Sequence, residues 1–415
     1  MAILSILMEK NDCLALARQS GAPLAALSPL GKLPPTQAPL SQAGQPLANN
    51  PDAKKHVGTL ANPDWLVTMR MGGGDWPITE LCLCAKRTAG DITGIRPTAD
   101  GLVEILGWSS VGAFVDWWCD AHANNLEETA QNFLPPSCTL EAFVMNLQAI
   151  DAYRRALLGS LLAHEPADPL LMTAEQFNQH CLSGIRSHDV RWLAPAFVSL
   201  VPGLGEYKLG GTPESARAPF DRAMLRTAFH PDTGAQCIGF GEPGQAMGLE
   251  FARTWMLAAG LEARLPAPEG SRAIARCFVA PTGVTNHLVK LETGSDGRTA
   301  ANHQTVTGSQ LKQALTAFFD TAVKASATPL QAMPAGGQPA ASQPAPQAPA
   351  TPQQAPPPPP PATSQQAAPP PAAATSQQAA PPPAAAPAVK FCGQCGTKMD
   401  QAAAFCPNCG APQQG

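Results

Sequence analysis

The chain has 415 residues, 45 of them proline and 35 glycine, about a fifth of the total against a usual level near ~12 %. Charged residues make up 14 % and the formal net charge is −4, which excludes a coiled coil, a collagen and a polybasic nucleic-acid binder as descriptions of the whole chain. The sequence has no apolar run of the ~18 residues that a membrane-spanning helix needs.

The first 20 residues carry Ile3, Leu7, Leu14 and Leu16 and predict an amphipathic helix closed by Gly21. No cation precedes the opening apolar run, and Glu9 and Asp12 follow it, which argues against a secretory signal. Residues 21–60 hold prolines at 23, 29, 34, 35, 39, 46 and 51 and read as an irregular, Pro-rich tether.

Residues 61–327 hold all the tryptophan and tyrosine and predict an α+β globular body. Strands are expected at Trp65 to Met71 and Ile78 to Lys86, joined through Gly72-Gly73-Gly74, and at Leu102 to Leu106. A helix follows from Ser109 or Ser110 to His122. Further helices are expected over 139–163, over 173–184 behind the capping box Thr173-x-x-Gln176, and over 189–201 with a kink at Pro195. A strand at Gln236 to Phe240 and a helix over 245–259 come next. A hairpin then runs from Ala273 to Val279 and Asn286 to Glu292, and a helix over 308–323 closes the body. The first hairpin leads to a helix bearing Trp117-Trp118 and the second to one bearing Phe318-Phe319. That shared order suggests two similar β-hairpin-plus-helix lobes at about 61–125 and 265–325, with the plain recurrence of β-β-α as the alternative.

Within the body, Gly239-Phe-Gly241-Glu-Pro-Gly244 matches G-x-G-x-x-G after a strand and before a helix, and Glu262 lies where a ribose-binding acid would. Gly239, Gly241 and Gly244 are therefore candidate nucleotide-binding residues. Pro243 takes away one phosphate donor, and the flanking hairpins point to an antiparallel sheet. His230 with Asp232 and Arg226, and His122 with Asp116 and Asp120, are the nearest approaches to acid–base clusters. No G-x-S-x-G or H-E-x-x-H accompanies them, so no catalytic residue is assigned. Eight cysteines (13, 82, 84, 119, 138, 181, 237 and 277) fall mostly in apolar elements. They read as small buried hydrophobes kept reduced in a cytoplasmic protein.

Residues 325–389 contain no Asp, Glu, Lys, Arg or aromatic residue, yet hold 20 prolines. Thr-Ser-Gln-Gln-Ala-Ala-Pro-Pro-Pro-Ala-Ala-Ala occurs at 363–374 and again at 375–386. Such a composition has too little apolar side chain to offset ordering entropy. It predicts a disordered, semi-extended Pro/Ala/Gln linker over 328–389, acting as a spacer or as a ligand for an aromatic-lined groove.

The tail, 390–415, reads Phe391-Cys392-Gly-Gln-Cys395-Gly396, then Phe405-Cys406-Pro-Asn-Cys409-Gly410. Two residues between thiols let both sulfurs face one ion, and two such turns complete a tetrahedral Zn²⁺ site. The segment 390–411 resembles the zinc-ribbon family, the small ribbon appended to many bacterial proteins. The resemblance implies structural Zn²⁺ on Cys392, Cys395, Cys406 and Cys409. Four thiolates close the coordination sphere, which argues against catalysis at the metal. Lys390, Lys398 and Asp400 are the only charged side chains in the tail, too few to make nucleic acid a favoured partner. The chain as a whole is expected to be a non-enzymatic cytoplasmic adaptor or scaffold. Its body would bind a protein partner and present a tethered ribbon. A nucleotide-binding enzyme using residues 239–244 and a nucleic-acid regulator using the ribbon are the alternatives.

Overall fold

The computed structural model describes residues 4–21, 23–74, 76–165, 170–206, 211–327, 389–391 and 398–400. The chain divides into two units, Met1–Gly337 and Gln338–Gly415.

The first unit begins with β1 (Leu4–Met8), α1 (Lys10–Gln19) and α2 (Pro51–Ala61). A four-strand meander follows, β2 (Trp65–Gly73), β3 (Trp76–Ala85), β4 (Ile92–Pro97) and β5 (Val103–Trp108), and then α3 (Val111–His122). The same order then recurs with a large insertion. A short strand β6 (Ser137–Thr139) leads into α4 (Leu140–Ala163). The insertion comprises β7 (Leu171–Met172), α5 (Ala174–Arg186), α6 (Leu193–Leu200), α7 (Pro213–Asp221), β8 (Leu225–Phe229), β9 (Gln236–Phe240) and α8 (Glu242–Thr254). The second meander is β10 (Ala258–Ala267), β11 (Gly270–Pro281), β12 (Asn286–Thr293) and β13 (Thr299–Val306), and α9 (Gly308–Ala327) closes the unit.

The two meanders form one ten-stranded sheet in the order β1-β5-β4-β3-β2-β10-β11-β12-β13-β6. Every adjacent pair is antiparallel. The order reads alike from both ends: each half is a meander whose last strand is capped at the sheet edge by the strand that opened that half. The halves join through β2 and β10, with Thr68 opposite Glu262.

Period-2 alternation sorts the side chains into two faces. Trp65, Val67 and Met69 of β2, Leu81 and Leu83 of β3, Leu261 and Ala263 of β10 and Cys277 and Val279 of β11 point to one face. There they pack with Phe114 and Trp118 of α3 and with Leu311, Leu315 and Phe319 of α9. Ser110 caps α3 by accepting from Ala113 N at 3.1 Å. The other face has two separate covers. Over the first half, Cys13 and Leu16 of α1 and Val57 and Leu60 of α2 pack on Leu66, Cys84 and Ile105. Over the second half, Phe143, Leu147, Phe197 and Phe251 pack on Phe278, Val289 and Ala301. Asp151 of α4 positions α6, accepting from Leu193 N at 2.9 Å and Ala194 N at 2.8 Å. The smaller sheet, β7-β9-β8, is also antiparallel.

Three expectations change. Residues 1–20 are not one helix: Leu4 to Met8 pair with β5, burying Ile6 and Met8 and leaving Ser5 and Leu7 outside. Pairing at a sheet edge outweighs a weak helical pattern over these residues. Residues 21–60 are not a tether. Leu27, Leu30 and Leu40 are buried, Ser28 Oγ donates to Leu60 O, and Asp12 accepts from both the backbone N and the hydroxyl of Ser41 at 2.7 Å. Three of the prolines lie at helix starts: Pro29 opens one 3-10 turn, Pro46 is the second residue of another, and Pro51 begins α2 behind the cap Asn50. Pro195, expected to kink a helix, sits in the first turn of α6, where a missing N–H costs nothing. The third change concerns the two lobes. The topological equivalents are β2 with β10, β3 with β11, β4 with β12, β5 with β13 and α3 with α9. Helices α3 and α9 hold equivalent places, whereas the hairpin at 273–292 is β11–β12, one strand out of step with β2–β3. The linker over 328–388 lies outside the described residues.

Candidate functional site: the metal-binding tail and the polar groups of the body

In the second unit, β14 (Val389–Phe391) and β15 (Lys398–Asp400) form an antiparallel hairpin with Val389 opposite Asp400 and Phe391 opposite Lys398. The last pair closes on a six-residue segment, 392–397, that carries Cys392 and Cys395. All four candidate ligands, Cys392, Cys395, Cys406 and Cys409, fall outside the described residues. The donor set fits a Zn²⁺ ion: four soft thiols in two C-x2-C pairs, the first of them lying in sequence between β14 and β15. Thiol ligands must be deprotonated to bind, and a bound divalent ion stabilises them in that form.

The glycine turn at 239–244 is built for close packing. Gly239 lies on β9, which pairs antiparallel with β7 and β8, so the parallel βαβ setting of a dinucleotide site is missing. A Cβ on Gly241 would lie 2.0 Å from Ala223 O, and one on Gly244 would lie 2.2 Å from Met224 O. Gly241 N also donates to Met224 O at 3.1 Å. The glycines are needed because the backbone of residues 223 and 224 passes directly against the start of α8. Glu262, expected near a ribose, is instead buried on β10 and gripped by Arg276 at 2.6 Å.

Of the two histidine clusters only the contact of His230 Nδ1 with the Asp232 carboxylate, at 4.0 Å, is present. Asp116 and Asp120 both face Lys312, at 3.3 and 2.8 Å, while His122 lies against the rings of Trp117 and Trp118. His230 accepts from Asp232 N on an exposed turn. The structure brings together a different set. Glu250 of α8 accepts from Thr282 Oγ1 at 2.6 Å and meets His287 Nε2 at 2.9 Å, and His287 Nδ1 meets His303 Nε2 at 3.1 Å. His287 and His303 lie on one face of neighbouring strands, with rings stacked 5.3 Å apart, and both are buried. His303 Nδ1 has no hydrogen-bond partner among the described residues. Burial, reinforced by His287, holds the His303 pKa well below the ordinary imidazole value. Burial opposes ionisation of Glu250, but the bonds from His287 and Thr282 outweigh it and lower its pKa. Sequence reasoning missed this chain because β13, which carries His303, went unrecognised.

The body's thiols are poor nucleophiles. Burial pushes the pKa of Cys13, Cys119, Cys181 and Cys277 up to about 12 and that of Cys82 and Cys138 to about 11. All eight body cysteines are free thiols, and all but Cys138 are buried. Among the described residues, no group of three or more His, Cys, Asp or Glu is placed to hold a metal ion, and no helix is long and apolar enough to cross a membrane. No curated protein matches the chain. Residues 391–413 match the family model of the zinc-ribbon domain, so the tail that carries the four paired cysteines is similar to a zinc-binding module.

Proposed function

We propose that this chain is a non-enzymatic cytoplasmic adaptor whose α+β body binds a protein partner and whose Pro-rich segment spaces a structural zinc ribbon from it. The match of 391–413 to a zinc ribbon, behind 65 charge-free residues, carries this reading. Cys392, Cys395, Cys406 and Cys409 would hold Zn²⁺. The ion would cross-link a segment too short to bury a core, and its binding free energy would be folding free energy. Four thiolates leave no open position for substrate, so the ribbon serves as a docking knob. The spacer raises the local concentration of that knob around whatever the body holds. Near-neutral charge over 390–415 favours a protein partner over a phosphate backbone.

The close-packed glycines at 241 and 244 leave the nucleotide-enzyme reading without its phosphate loop. The test compares the full chain with a chain ending at residue 327. One zinc per full chain by elemental analysis, and a protein that co-purifies with the full chain alone, are the expected results. A metal-free full chain, or equal capture by both, would overturn the proposal.

A further inference from the structure

The sheet face opposite α3 and α9 is covered from both sides, and the covers leave part of its centre unfilled. Where the two covers meet, over the β2–β10 seam, there is a cavity of about 600 Å³, bounded above by residues 24–32 and by Pro202 and Gly203. Its floor is polar. Thr68 and Arg70 of β2, Glu262 and Arg264 of β10 and Arg276 of β11 share the face, and Lys32 reaches in from the rim. Five charged groups therefore meet at the middle of a ten-stranded sheet, where apolar side chains are the usual filling.

The charges do not cancel. Glu80 is shared by Lys32 at 2.6 Å and Arg70 at 2.9 Å. Glu262 is shared by Arg276 at 2.6 Å and Arg264 at 3.4 Å. Four cations against two carboxylates leave two positive charges in excess. The Arg264 contact has ion-pair distance without hydrogen-bond geometry: its Nε is buried and donates to nothing among the described residues. Arg70 spends only its Nε on Glu80. Guanidinium groups offer planar forks of N–H donors that match carboxylate and phosphate oxygens. Excess positive charge in a concavity favours a bound anion, and the Arg70, Arg264 and Lys32 side chains, 36 %, 37 % and 56 % exposed, can be reached by one from solvent.

We propose that this seam cavity is a binding site for a small dianionic molecule, a phosphate monoester or a dicarboxylate, held by Arg70 and Arg264 at the junction of the two half-sheets. The volume is in the range of small-molecule sites, and junctions between halves of a fold are where such sites collect. The site does not depend on the ribbon or on the adaptor reading, since every residue in it belongs to the first unit.

Titration calorimetry on the full chain at low ionic strength tests it, with inorganic phosphate and succinate as probes. Saturable binding of at least one probe at millimolar concentration is expected. Phosphate alone would point to a phosphate ester, succinate alone to a dicarboxylate, and both to recognition by charge. Arg264→Gln should weaken binding at least tenfold. Glu80→Gln should tighten it severalfold, because it removes a carboxylate that competes for Arg70 and Lys32. Arg298→Gln, on an exposed turn, should change nothing. If Arg264→Gln does not fold, Arg264→Lys, which keeps the charge and loses the fork, carries the same comparison. No saturable heat with either probe at millimolar concentration, or binding that the Arg264 variants leave intact, or equal weakening by Arg298→Gln, would overturn the proposal.

Discussion

Two glycine-to-alanine substitutions, chemically identical, should move stability in opposite directions. At Gly58, inside α2, a Cβ meets nothing within 4 Å, so alanine removes the helix penalty of glycine and stabilises by about 0.8–1 kcal/mol. At Gly241 the added carbon would lie 2.0 Å from Ala223 O. A backbone carbonyl cannot rotate away like a side-chain tip, so residues 223–224 and the start of α8 must separate. Overpacking of this kind costs about 1–3 kcal/mol. Loss of the Gly241 N–H to Met224 O bond adds about 1 kcal/mol. The two variants should therefore differ by about 3–5 kcal/mol in total. Urea unfolding followed by tryptophan fluorescence reads the difference as a midpoint separation on the order of 1 M or more. The measurement needs no nucleotide. If Gly241→Ala unfolds at the midpoint of the parent, the glycines are not there for packing and the account of this turn fails.

Acid stability offers another check. His303 is held neutral in the fold, so below a pH of ~6.5 the unfolded chain takes up a proton that the folded chain refuses. Its contribution is present above that pH and is lost as pH falls, at up to ~1.4 kcal/mol per unit. His303→Gln should flatten the stability slope between about pH 6.5 and 5, and an unchanged slope would refute the assignment. His56, His122 and His180, also shifted down chiefly by burial, keep the residual slope above zero. Asp12 pins the segment after α1 by accepting twice from Ser41. Asp12→Ala should cost about 1–3 kcal/mol and speed proteolytic cutting between residues 21 and 50, which limited trypsinolysis with mass spectrometry would show. Chelation should strip the ribbon while leaving the thermal midpoint of the body within error, because the body's own cysteines are buried free thiols; a shift of several degrees would mean that a metal also stabilises the body.

Elements with dense local signals were legible from sequence. The capping box at Thr173 and Gln176 forms as expected, as do the Ser110 cap and the glycine turn after β2, where Gly73 and Gly74 take positive φ. The zinc ribbon was legible because ligand spacing is a local property. Elements whose identity depends on distant partners were not. β4 is short and holds Gly94, where a Cβ would lie 2.8 Å from the Trp108 ring. β10 follows α8 after three residues and reads as its continuation. β13, Thr-Ala-Ala-Asn-His-Gln-Thr-Val, is mostly polar and becomes a strand by pairing with β12 and β6. The near-palindromic sheet was half visible because its helices carry paired aromatics, while its strands carry no shared residues to set the register.

The charged seam follows from that sheet. Each half brings its own cover for the outer face, α1 and α2 for one and the α4–α8 insertion for the other, and where they meet over the junction they leave part of it unfilled. β2 and β10 therefore alternate like half-solvated strands although they lie at the sheet centre: Val67, Met69, Leu261 and Ala263 face the α3–α9 core, and Thr68, Arg70, Glu262 and Arg264 face the gap. Within this arrangement Glu262 is held by its cross-strand neighbour Arg276, the two side chains being 4 % and 19 % exposed. Breaking such a pair from one side costs about 3–5 kcal/mol, whereas replacing both partners with apolar residues is often neutral or better. Glu262→Leu alone should therefore destabilise by about 3 kcal/mol, the lower end because Arg276 keeps contact with water. The double variant Glu262→Leu, Arg276→Leu should recover most of that loss. A double-mutant cycle by urea unfolding measures the coupling; strictly additive losses would mean that the two side chains act independently and that the seam is not organised around shared carboxylates.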